Sequence, residues 1–279
     1  MDLKTLQDIP PWDWPEDTGT MLLGILRDKE ADGSDRLLAA ELAGDFTVIS
    51  DELLDVLLSI LQAGKESEEM RARAAISMGP ALEYADEDIF DDDFDDETVS
   101  EGMVNRIKAS LRRLYMDAGV PKEVRRRILE ASARAPEDWQ RDAVRAAYLS
   151  DDEGWKLTAV FCMQFVRGFN DQILEALGSK DPDIHYHAVC AAGNWGLDPA
   201  WPHIAAILTA KESDKDLVLA AIEAAGNIRP QEAAEILLAL TESDDEDIVE
   251  AAYEAMAMAE LPMDEDFDDD YDDDDETFH

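Results

Sequence analysis

Between residues 181 and 259 one pattern is written three times at a spacing of 31 to 33 residues: DPDIHYHAVCAAGNWG from Asp181, DKDLVLAAIEAAGNI from Asp214 and DEDIVEAAYEAMAMA from Asp245. A chain with such a period uses one structural unit repeatedly. Each unit leaves an apolar face that only its neighbours can cover.

With Ile184, Leu217 and Ile248 as position 0, each copy has Asp three residues earlier, where a carboxylate accepts the free N–H groups of a helix's first turn. Pro182 then stands at a first helical position, where a missing N–H costs nothing. Apolar residues recur at positions 0, 4, 7 and 8, one face of a 3.6-residue helix. Positions 4 and 7 are alanine in all three copies (Ala188, Ala221, Ala252; Ala191, Ala224, Ala255), small enough for two helix backbones to approach closely. A second amphipathic run precedes each helix, through Ile173, Leu174 and Leu177; Ile204, Ile207 and Leu208; Ile236, Leu237 and Leu240. The predicted unit is a helix, a short turn and a second helix.

The Asp-x-Asp turn, the aliphatic residue, the x3-Ala-x2-Ala run and the small residue two later resemble HEAT repeats of the short bacterial type. The tetratricopeptide pattern, with its large aromatic and terminal proline, fits less well. The resemblance implies an all-α fold, a right-handed α-solenoid of about seven HEAT-like hairpins in which each second helix lines a concave groove.

Earlier copies follow the same phase: helices over 21–27 and 36–43, over 53–61 and 70–78, over 105–115 and 124–134, and over 139–148 and 155–165. Position 0 of the third copy, Val124, lies 54 residues after Met70, so the chain carries an insertion there. The expected divisions are a Pro/Trp-rich cap at 1–16, repeats one and two at 17–85, an acidic disordered insertion at 86–100, repeats three to seven at 101–262, and an acidic disordered tail at 263–279. Pro10, Pro11 and Pro15 around Trp12 and Trp14 argue against a helix in the cap.

The net charge is −43. Residues 86–97 contribute nine carboxylates and 264–276 eleven; without them 47 carboxylates still face 24 cations, so the body is itself near −23. That surface disfavours nucleic acid and anionic membranes and favours basic partners or high salt. No basic start precedes an apolar run and no stretch reaches a membrane span, so a cytoplasmic chain is expected. Cys162 and Cys190 give neither a disulfide framework nor a metal quartet and read as free thiols.

His185 and His187 are two apart, and on a helix such residues diverge instead of sharing a ligand. HEAT-repeat deoxyhypusine hydroxylases hold iron with His-Glu dyads, yet none of His185, His187, His203 and His279 is followed by Glu. HEAT-like alkylpurine glycosylases need a basic groove, which the charge opposes. HEAT-like bilin lyases lack a short motif by which to exclude them. No cofactor, metal or catalytic residue is therefore expected, and the chain reads as a non-enzymatic scaffold.

Positions 2, 3, 6 and 10 turn away from the packed face. By the resemblance they approach the groove, giving Arg73, Arg126, Arg127 and Arg134, then Phe161, Phe165, Tyr186 and His187, then Glu223 and Glu254. A groove graded from basic through aromatic to acidic suits one peptide or protein ligand held in one direction, by a monomeric adaptor. The alternative is an acidic chaperone or nucleic-acid mimic. In that reading Asp91, Asp92, Asp93, Phe94, Phe267 and Tyr271 bind a basic partner, the carboxylates attracting and the aromatics anchoring. Eleven of the 24 basic residues fall in 106–145, a patch on which the insertion or tail is expected to fold back.

Overall fold

A computed structural model of the chain describes residues 3–86, 99–210 and 214–260. They belong to two compact units, Met1–Ala191 and Ala192–His279. The first contains α1 (Leu3–Gln7), then the hairpin of α2 (Thr18–Arg27) and α3 (Gly33–Leu42) and that of α4 (Asp51–Gln62) and α5 (Glu68–Ile76). It continues with α6 (Gly79–Asp86), the pair α7 (Glu101–Met116) and α8 (Lys122–Ser132), the pair α9 (Asp138–Tyr148) and α10 (Glu153–Cys162), α11 (Asn170–Ala176), and α12 (Pro182–Asn194), which runs past the unit boundary. The second has α13 (Trp201–Thr209), α14 (Lys215–Ile228), α15 (Pro230–Leu240) and α16 (Glu246–Glu260). No strand occurs among the described residues, and the fold is of the α-solenoid class.

The helix starts follow the Asp and Ser residues. Asp181 Oδ1 accepts from the Ile184 amide at 3.1 Å and Asp214 Oδ1 from the Leu217 amide at 3.3 Å. Asp32, Ser50, Ser67, Ser100 and Asp152 cap α3, α4, α5, α7 and α10 in the same way. Such caps contribute about 1 kcal/mol each. The register places Asp35 at position 0 of the first copy, three residues after its cap.

Positions 4 and 7 form the core as expected. Ala74, Ala188, Ala191, Ala221 and Ala252 are fully buried. Position 9 shows how consecutive second helices meet. A Cβ added to Gly193 would lie 2.8 Å from Ala224 Cα, and one on Gly226 would lie 3.4 Å from Ala255 Cβ. In the first unit a Cβ on Gly44 would lie 2.8 Å from the Ser77 carbonyl. In these three copies position 9 rests on position 7 of the next, and only small residues allow it.

Position 1 is basic in the first four copies, Arg36, Arg71, Arg125 and Lys156, and two of these arginines serve the turn. Arg71 Nε donates to the Leu61 carbonyl at 2.9 Å and Arg125 Nε to the Tyr115 carbonyl at 2.8 Å. Each satisfies a carbonyl at the end of the preceding helix, where no intrahelical donor remains.

Three elements differ from the sequence reading. The prolines do not prevent a helix in residues 1–16: α1 precedes the first of them, since a proline restricts itself and its predecessor only. Leu3 and Leu6 of α1 are buried, and Trp14 Nε1 donates to the Leu6 carbonyl at 3.0 Å. Next, α6 follows α5 directly; Pro80 is its second residue, where no helical bond is lost. Finally, α10 stops at Cys162, so Phe165 lies in the turn beyond it, its amide bonded to the Cys162 carbonyl. The acidic segments, with Asp91, Asp92, Asp93, Phe94, Phe267 and Tyr271, lie outside the described residues. No helix among the described residues is long and apolar enough to cross a membrane.

Candidate functional site

Arg134, Phe161, Phe165, Tyr186 and His187 come together in the first unit, on the outward side of three successive second helices. Arg134 follows the end of α8 and is wedged against Gly79, where a Cβ would lie 2.8 Å from its Cδ. Its guanidinium pairs with Glu83 of α6 and stands over two rings, 5.1 Å from the Phe165 centroid and 5.7 Å from that of Phe161. The two phenyl rings are 5.6 Å apart because the turn after α10 brings Phe165 back toward Phe161.

His187 continues the cluster, edge-on to Phe161 at 5.2 Å and beside Tyr186 at 5.2 Å. The Gln164 amide donates to its Nδ1 at 3.2 Å, which leaves the ring proton on Nε2. Burial holds the imidazole pKa below the usual histidine value, against a weaker opposing pull from Asp183. The ring is therefore neutral at pH 7. Phe161, Phe165, Tyr186 and His187 are all half-buried, a surface of fixed aromatic edges beside a positioned cation.

The arginines expected at the basic end are engaged within the protein. Arg126 is 9 % exposed; its Nε donates to Thr158 Oγ1 at 2.9 Å and its Nη1 to Glu123 at 2.7 Å. Thr158 in turn donates to Glu130 at 2.6 Å, and Arg127 pairs with both Glu123 and Glu130. Arg73 pairs with Glu41 at 3.1 Å. The basic end of a charge-graded groove is thus corrected to a neutralised network, because carboxylates one turn or one repeat away meet each guanidinium. Glu223 and Glu254 are exposed on α14 and α16 of the second unit.

Glu83, Gln164 and Thr158, which the sequence reading missed, hold the cluster and the network in place. Thr158 stands at position 3, which the register turns outward, so no sequence signal marked it; in the structure it is fully buried and its hydroxyl needs a partner. Elsewhere in 106–145, Lys108, Arg112 and Arg113 of α7 line a shallow pocket with Met116 and Glu137. Cys162 is buried, and burial pushes its thiol well above the usual range.

Residues 170–257 match the family model of HEAT repeats. This segment carries HEAT repeats. Solved structures with which the chain aligns include the Escherichia coli protein YibA, at 16% identity over 88% of this chain and 84% of that one, TM-score 0.45. Human deoxyhypusine hydroxylase in complex with glycerol aligns at 16% identity over 93% and 89%, TM-score 0.41. An engineered protein aligns at 15% identity over 88% and 97%, TM-score 0.34. No curated protein matches the sequence. The human protein is by its name an enzyme, and the expectation that this chain is none is withdrawn.

Proposed function

We propose that this HEAT-repeat chain is a protein-interaction scaffold that takes an extended or helical peptide segment of a partner against the outward face of α8, α10 and α12. One observation carries the reading. Arg134 and the rings of Phe161, Phe165, Tyr186 and His187 form a continuous, half-buried cluster built from three copies. Arginine and aromatic residues are the common energetic anchors of interfaces, and anchors already fixed lose little entropy on binding. Arg134, held by Glu83 below and open to the rings above, suits a ligand with an aromatic or carboxylate group at that point.

The test is peptide selection from a random library on the full chain, followed by affinity measurement for the selected sequences. Phe161→Ala and Phe165→Ala are expected to weaken binding at least about tenfold, the size of an interface anchor, with helix content by circular dichroism unchanged. Deleting residues 264–279 should leave affinity intact. Binding that ignores both phenylalanine variants but vanishes with residues 264–279 overturns the reading and gives the function to the acidic segment.

A further inference from the structure

Position 5 of the repeat separates the seventh copy from the rest. It is Ala40, Ala75, Leu129, Val160, Val189 and Ile222 in the first six copies, each 0–1 % exposed. In the seventh it is Tyr253, 59 % exposed. Positions 5 and 9 lie one turn apart on one flank, and position 9 is where a second helix rests on its successor: Gly226 of α14 against Ala255 of α16. On α16 the same flank carries Val249, Tyr253 and Ala257, of which Tyr253 and Ala257 are exposed and Val249 is half-buried. Positions 5 and 9, which elsewhere are packed, are open here at Tyr253 and Ala257, and position 1, basic in the early copies, is the apolar Val249.

The surroundings of this flank are strongly acidic, the nearby Lys215 being already paired with Asp245 and Asp247. Glu246 and Glu250 border the stripe and are exposed. From Glu232 to Glu260 there are ten carboxylates and no lysine or arginine. A second copy of this face would set carboxylate against carboxylate. Residues 264–276 of the same chain would bring eleven more negative charges.

We infer that the open flank of α16 is a docking surface for a cationic amphipathic helix of a partner protein, whose apolar side covers Val249, Tyr253 and Ala257 while its lysines or arginines meet Glu246 and Glu250. The geometry is that of helix-in-groove recognition, with the incoming helix taking the place of an eighth second helix. Charge complementarity selects its sign, and the apolar stripe sets its register.

The test uses the full chain and a fluorescein-labelled 14-residue helical peptide of leucine and lysine, with a leucine–glutamate peptide of the same pattern as control, by fluorescence anisotropy at 150 mM salt. The lysine peptide is expected to bind and the glutamate peptide not. Tyr253→Ser, at an exposed site that leaves the fold intact, should weaken binding at least about tenfold, as loss of an anchor does. Glu250→Lys should weaken it comparably, and deletion of residues 264–279 less than about threefold, since exposed charge alone contributes little at that salt. No binding of the lysine peptide, or binding that survives Tyr253→Ser and disappears with residues 264–279, overturns the proposal. So does a wild-type dimer that Tyr253→Ser converts to monomer, which would make a second copy the occupant. Slower hydrogen exchange in α16 of the free full chain than in one lacking residues 261–279 would make the chain's own end the occupant, with the same consequence.

Discussion

The contact between positions 9 and 7 can be tested by adding one carbon atom. At Gly193 a methyl group would lie 2.8 Å from both Cα and Cβ of Ala224, whereas carbon atoms in contact prefer about 3.5–4.0 Å. Helices α12 and α14 must then part by about 1 Å, and overpacking of that kind costs roughly 1–3 kcal/mol. Against it stands the better helix propensity of alanine, at most about 1 kcal/mol. Gly193→Ala is therefore expected to destabilise by about 1–2 kcal/mol net. Gly24, inside α2, has nothing within 4 Å of an added Cβ. There the same substitution retains the whole propensity gain, a stabilisation of about 0.5–1 kcal/mol.

The two changes share their chemistry and should differ in sign. Hydrogen exchange read by mass spectrometry follows each unit by itself. Gly193→Ala should speed exchange in α14 by roughly tenfold, the factor that corresponds to about 1.4 kcal/mol. Gly24→Ala should slow it in α2 and α3. Equal shifts in one direction would refute the close approach of second helices on which the register rests.

The buried network makes a second expectation. Thr158→Val removes the hydroxyl between Arg126 and Glu130 and leaves both charged groups short of a partner, a loss of about 3 kcal/mol in urea denaturation; Thr158→Ser should recover most of it, and a valine variant as stable as wild type would refute the role. Burial lowers the pKa of both His187 and His203, so the unfolded chain takes protons first. Stability should be level above about pH 6.5 and fall as pH drops below it, levelling again beneath the folded-state values. A double His187→Gln, His203→Gln variant should lack that slope between about pH 5 and 6.5, and an unchanged slope would refute the assignment. Sodium chloride should raise the melting temperature, because screening relieves self-repulsion at a net charge of −43 by more than it weakens exposed ion pairs of about 0–1 kcal/mol each; a falling melting temperature would show the pairs dominate.

The helical hairpins were legible because their signals are local and repeated: a capping Asp or Ser, then apolar residues at a helical period. The short elements were not. α1 has one turn and α6 stands outside the repeat, so neither presents enough period to read. The aromatic half of the candidate site was legible from positions 3, 6 and 10, which place Phe161, Phe165 and His187 outward. Its basic half was misread at Arg126, because position 2 tells where a side chain starts and not what captures it. Thr158 lies 32 residues away, at position 3 of the next copy, and no single-helix pattern reports such a partner. Glu83, which holds Arg134, comes from α6 and was hidden for the same reason.

Several of the scarce cations follow the period of the repeat. Arg36 meets Glu66, Lys122 meets Asp152, Lys215 meets Asp247 and Arg229 meets Asp198, each across 30 to 32 residues. That is one repeat. These pairs are partly exposed and add little stability individually. Their placement matters more than their strength, since every copy but the third carries more carboxylates than cations and adjacent acidic layers would otherwise repel in any register. A cation matched to a carboxylate one period away favours the native stacking over slipped alternatives, as charged pairs do in helix pairing. Lys215 and Arg229 extend this device as far as the sixth and seventh copies. From Glu232 to Glu260 the chain supplies ten carboxylates and no cation of its own; Arg229 pairs with Glu232, and Lys215 with Asp245 and Asp247. The seventh copy thus combines an exposed flank at Tyr253 with an excess of carboxylates, and both suit the same complement: a helix that brings apolar and basic residues together.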